Sequence, residues 1–102
     1  MPYTVTIVTT KPSGTAWWNA PTGSPNYTAR EELFAWMAQQ PGYLSTSDTP
    51  AVADVSTVVV VFDTEANYTA YHQAMVQQPA AITRAAYNSA NGITSVVTAQ
   101  TT

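Results

Sequence analysis

The chain holds a single imidazole, so a search for acid–base chemistry begins at His72. His72 belongs to the series Tyr68, Tyr71, His72 and Met75, spaced i, i+3, i+4, i+7. That spacing lays all four on one helical face and predicts that the face points inward. A histidine base needs a carboxylate to orient its ring. Asp63 and Glu65 are nearest in sequence, and neither spacing dictates contact. A histidine at the core edge, bonded to a carbonyl or water, fits the same pattern without any chemistry.

Aromatic side chains are the second resource. Trp36, Tyr43, Tyr68 and Tyr71 are candidates to line an apolar pocket, with core packing the simpler account of Trp36. Trp17 and Trp18 differ, because two adjacent indoles in a Pro/Gly-rich segment do not easily share one small core. At least one is expected to be exposed or buried against a partner, and tryptophan is enriched at interface hot spots. Both are therefore candidate interface residues.

Other chemistries have less to stand on. The acidic residues Glu31, Glu32, Asp48, Asp54, Asp63 and Glu65 are scattered, and no pair recurs with a histidine at ligand spacing, so neither a metal site nor a cofactor is expected. Cysteine is absent, which removes disulfides and thiolate nucleophiles together. Ser13-Gly14 and Gly23-Ser24 read as turns, with no nucleophile-elbow or phosphate-loop context.

The elements that must position these residues follow from local signals. Tyr3–Thr10 alternates and is almost wholly β-branched or aromatic, which predicts a strand. Residues 11–25 contain three prolines and two glycines and predict a loop insertion. Thr28-Ala29-Arg30-Glu31 fits a capping box, and a helix is expected from there to about Gln40, stopped by Pro41-Gly42. Tyr43–Asp48 predicts a weak strand and Thr49-Pro50-Ala51 a turn. Val55–Phe62, with four consecutive valines, predicts a central strand buried on both faces. Thr64 caps a second helix, Pro79 breaks it, Asn91-Gly92 ends its continuation, and Ile93–Ala99 is the last strand. The expected fold is α+β and ferredoxin-like, β-α-β-β-α-β. It has one antiparallel sheet, helices on one face and a single domain over residues 1–102.

Composition narrows the partners. Charged residues make up 9% of the 102 and apolar residues 45%. A surface so poor in charge repels other copies weakly, which favours self-association as a homodimer or higher oligomer. The only basic residues are Lys11, Arg30 and Arg84, too few for a phosphate-binding cluster, so nucleic acid is not an expected partner. No segment approaches the roughly 18 apolar residues that would span a bilayer, and Met1-Pro2-Tyr3 does not open a signal peptide. Asn26-Tyr27-Thr28 and Asn67-Tyr68-Thr69 match a glycosylation sequon and read instead as helix starts.

Pro41-Gly42-Tyr43-Leu44, a β-branched strand ending Phe62-Asp63-Thr64-Glu65-Ala66, and then Tyr68 and Tyr71 form a recognisable sequence. It resembles the dimeric α/β-barrel group that includes the antibiotic-biosynthesis monooxygenase-like proteins. The resemblance covers about Thr28 to Met75 and marks a fold rather than an activity. It implies that two sheets from two chains close into a barrel. The chain's ends are also similar to small bacteriophage proteins of marine and cyanobacterial type, at Tyr3-Thr4-Val5-Thr6, Lys11-Pro12 and Arg84 to Ile93.

These readings lead to a main expectation and an alternative. The main one is a non-enzymatic structural or interaction protein, phage-encoded and homo-oligomeric. It would use a sheet face and the Trp17-Trp18 loop for assembly with itself or other virion proteins, in the virion or host cytoplasm. The alternative is a small cofactor-independent oxygenase or isomerase of the barrel group, with His72 as base. That alternative requires a cavity under the sheet with His72 pointing into it.

Overall fold

The computed structural model describes residues 2–101, and the side chains of all of these but residues 50–52. The order is β1 (Tyr3–Thr10), α1 (Pro25–Met37), β2 (Tyr43–Val52), β3 (Val55–Phe62), α2 (Glu65–Met75), α3 (Pro79–Ala90) and β4 (Thr94–Thr101). The four strands form one antiparallel sheet in the order β2-β3-β1-β4. This is the ferredoxin-like arrangement, with the second helix divided at Pro79 as the ring at that position requires.

Local chemistry explains most boundaries. The Thr64 hydroxyl accepts from the Asn67 N–H at 3.2 Å and starts α2. Helix α1 begins earlier than the Thr28 capping box predicts. Its N-cap is Ser24, whose hydroxyl accepts from the Tyr27 N–H at 3.1 Å. Pro25 sits at the first helical position, where its fixed φ favours the helix and its missing N–H costs nothing. Strand β2 also runs past Asp48 to Val52, and the turn falls at Ala53-Asp54 instead of Thr49-Pro50-Ala51. That turn is fixed from outside. The Lys11 N–H donates to the Asp54 carbonyl at 2.9 Å, and its ammonium meets the Asp54 carboxylate at 2.7 Å.

Strand β3 is central, yet it is covered on one face only. Val60 and Phe62, on the helix side, are buried; Val59 and Val61, on the other, are half-buried. The core gathers at one end of the sheet around Met37, Val60 and Phe62. Phe62 stacks on Tyr71 at 5.1 Å and meets Tyr68 and Tyr43 edge-on at 5.7 and 5.9 Å. Gly42, at φ +83°, lets the α1–β2 turn pass close under Asp63 and Asn67. At the far side every residue of β4 is exposed.

Candidate active site

A sheet that packs its helices at one end leaves space at the other. Between the sheet and the three helices lies a cavity of about 870 Å3, within the usual range for small-molecule sites. Strand pairing sets its floor. Ile7 pairs with Val58 and Val97, and Thr9 with Ser56 and Ser95, so successive helix-side rows change from apolar to hydroxyl-bearing. Helix α1 contributes Tyr27, Arg30 and Phe34, and α2 contributes Tyr71 and Met75. Helix α3 presents Ala81, Arg84, Ala85 and Asn88, spaced i, i+3, i+4, i+7. The two alanines leave room, and the arginine and asparagine point chemistry into it.

The charged groups divide into one satisfied set and one free cation. Arg30 donates to Asp48 at 2.6 Å and to Glu31 at 3.3 Å, and its guanidinium lies 4.4 Å from the Phe34 ring centroid. Arg84 is mostly withdrawn from solvent and, among the described residues, makes no ion pair or side-chain hydrogen bond. Burial pushes its pKa down, the Tyr71 phenol opposes that, and Arg30 adds to it. Burial likewise pushes the Tyr71 phenol up to about 12, aided by Tyr68 and opposed by Arg84. Tyr71 is thus a proton donor at neutral pH and not a base. Tyr68 is raised as well, chiefly by burial and then by Tyr3.

The structure separates the residues singled out by sequence. Tyr71, Trp17 and Trp18 line the cavity. Trp18 is 4% exposed within its own chain, so its large face is spent internally. Its indole N–H is buried without a partner among the described residues. Trp36 borders a second hollow outside the helices together with Trp18. Tyr43 and Tyr68 are core residues that border neither space, and Tyr43 bonds Thr46 at 2.7 Å. His72 is exposed, its ring 5.8 Å from that of Tyr68, and it is not among the cavity residues. The helical face is narrower than its spacing suggests: Tyr68, Tyr71 and Met75 turn inward and His72 does not. Sequence reasoning missed Arg84, Arg30 and Asp48. The signal available for Arg84 was its place in an alanine stripe at helical spacing, where a long side chain has room to fold inward.

Among the described residues no group of three or more acidic or histidine side chains could hold a metal ion, and no helix is long and apolar enough to cross a membrane.

The fold defines the class of architecture. It is that of the antibiotic-biosynthesis monooxygenase-like proteins, a ferredoxin-like sheet with helices over one face. Solved structures share it. SnoaB, a cofactor-independent oxygenase from Streptomyces nogalater, superposes with a TM-score of 0.65 at 16% identity, over 99% of this chain and 92% of that one. A candidate antibiotic biosynthesis monooxygenase from Deinococcus radiodurans gives 0.56 at 12% identity, over 97% and 91%. Another from Nitrosomonas europaea gives 0.56 at 14%, over 96% and 89%. Identities this low show a common fold. No family model matches the sequence, and no curated protein is similar to it. The expectation of a non-enzymatic, phage-encoded structural protein is corrected here, because the neighbours are named oxygenases and favour the enzymatic alternative. Viral, virion-associated and virion-localised readings find no support in them.

Proposed function

We propose that the protein is a small cofactor-independent oxygenase acting on a planar aromatic substrate held between the sheet and the helices. The observation that carries this reading is Arg84, a largely buried and unpaired cation in a cavity walled by Tyr27, Phe34, Tyr71 and Trp17. Such a cation costs folding free energy, and it fits a site in which negative charge develops on a bound molecule.

In this reading a ring ketone with an acidic C–H group gives its proton to Asp48, one of two carboxylates at the cavity wall with Glu31. The resulting carbanion shares its charge with the ketone oxygen, beside Arg84. Its electrons reduce dioxygen, a C–O bond forms, and Tyr71 protonates the peroxide. Loss of water leaves a second carbonyl, and the proton on Asp48 returns to Tyr71. The balance is one CH2 group and one O2 converted to one C=O and one water.

The second part of the reading is a homodimer closed through the helix-free face. Thr4, Thr6, Val8, Val59, Val61 and Val96 alternate onto that face, and its described residues carry no charge. Burial of apolar surface there contributes roughly 25 cal/mol per Å2 before association costs. Light scattering that shows only monomer at micromolar concentration removes the dimer.

The test of the chemistry uses anthrone, a flat tricyclic ketone with an acidic CH2. Protein-dependent oxygen uptake with formation of anthraquinone is expected, and Arg84→Leu lowers kcat by about a hundredfold. No uptake above the protein-free rate overturns the assignment.

A further inference from the structure

The open end of the cavity carries polar groups that the oxygenase reading does not use. Thr9, Ser56 and Ser95 share one cross-strand row, and the Thr9 and Ser95 hydroxyls bond each other at 2.9 Å. The side chains of Ser56, Asn19 and Asn88 line the same space and make no hydrogen bond among the described residues. All three are half-buried. Trp17 lines it too, with the Lys11 ammonium 5.6 Å from its ring centroid. Lys11 is neutralised by Asp54, and the cavity's unpaired cation, Arg84, lies one helical turn from Asn88. Helix α3 ties down the loop that brings Trp17 and Asn19: the Tyr87 hydroxyl donates to the Ala16 carbonyl at 2.7 Å, one residue before Asn88.

We infer that this end is a subsite for a neutral ring polyol, a sugar unit joined to the aromatic part of the ligand. The chemistry is specific in kind. Carboxamides present a donor and an acceptor side by side, which matches the two hydroxyls of a vicinal diol. Hydroxyl groups on a strand add single donors and acceptors, and a flat indole takes the C–H face of a pyranose. The inference assigns a role to the residue 11–25 loop, since that loop supplies Trp17 and Asn19. It rests on the proposal that the cavity holds an aromatic ligand.

The test is a calorimetric titration of the wild-type protein with 4-methylumbelliferone and with its β-glucoside. The glucoside is expected to bind about tenfold more tightly, the equivalent of one or two net hydrogen bonds. Asn88→Leu and Ser56→Ala are each expected to remove that advantage while leaving the aglycone within about twofold. Equal binding of both ligands to wild type overturns the subsite and leaves the oxygenase proposal standing. So does equal weakening of both ligands in the two variants. If neither ligand binds, the aromatic cavity reading falls and the subsite with it. Far-ultraviolet circular dichroism of both variants checks folding, and the Ser56→Ala result decides should Asn88→Leu unfold.

Discussion

The two ends of one sheet are built from the same strands and behave as different materials. At one end Tyr3 pairs with Phe62, and the rings of Tyr68 and Tyr71 close over them at 5.5 and 5.1 Å. At the other, Thr9 pairs with Ser56 and Ser95 and nothing packs on them tightly enough to close the cavity. Six residue steps of β1 separate these rows, roughly 20 Å along a strand. The difference teaches where the molecule stores stability and where it is free to bind. Aromatic side chains bring large buried area and edge-to-face contacts. Small hydroxyl residues bring hydrogen-bonding capacity and leave volume.

Substitution at each end is the direct way to break that comparison. Phe62→Ala is expected to lose about 3–5 kcal/mol, whereas Ser56→Ala stays within about 0.5 kcal/mol. Urea unfolding of both variants measures the contrast, and similar losses would dissolve it. Gly42→Ala is the next largest, at about 1–3 kcal/mol. Its backbone has φ +83°, and an added Cβ would stand 2.6 Å from Asn67 Nδ2 and 2.8 Å from Asn67 Cβ. The same unfolding series reports it, and a neutral result would mean that the turn relaxes freely. The smallest effect is set by pH. The Tyr71 phenol titrates near 10 when unfolded and is held up to about 12 when folded. Its stabilising contribution is therefore complete below pH 10 and is lost as pH rises from 10 through 12. Melting temperature should fall across that window, and less steeply in Tyr71→Phe. Equal slopes would mean that burial does not hold the Tyr71 phenol up.

The closed end was legible in the sequence because its signals are local. Thr64, Pro79 and Asn91-Gly92 act on backbone within a turn of themselves, and each sits where the helices begin, break or end. Ser24 and Thr28 are both good caps, and the deciding residue was Pro25 between them. The open end was not legible in the same way. Arg84 in an alanine-rich helix reads as surface, and only the position of β1 and α1 makes it a cavity residue. The same holds for Asp48 on β2, which matters because Arg30 from helix α1 reaches it. Spacing placed His72 inward, yet three of its helical neighbours were enough to fill the space. The direction in which Trp17 and Trp18 fold depends on a contact between Tyr87 and Ala16, 71 positions apart.

Strand β4 has a consequence of its own. It is bonded to β1 alone, and all eight of its residues are exposed. A segment held along one edge, with little buried on either face, opens at a lower free energy than the strands around it. Ser95 belongs to that segment, so one wall of the hydroxyl row detaches whenever β4 frays. A ligand that engages Ser95 must also hold the strand in place, and that fraction of its binding free energy goes into securing β4.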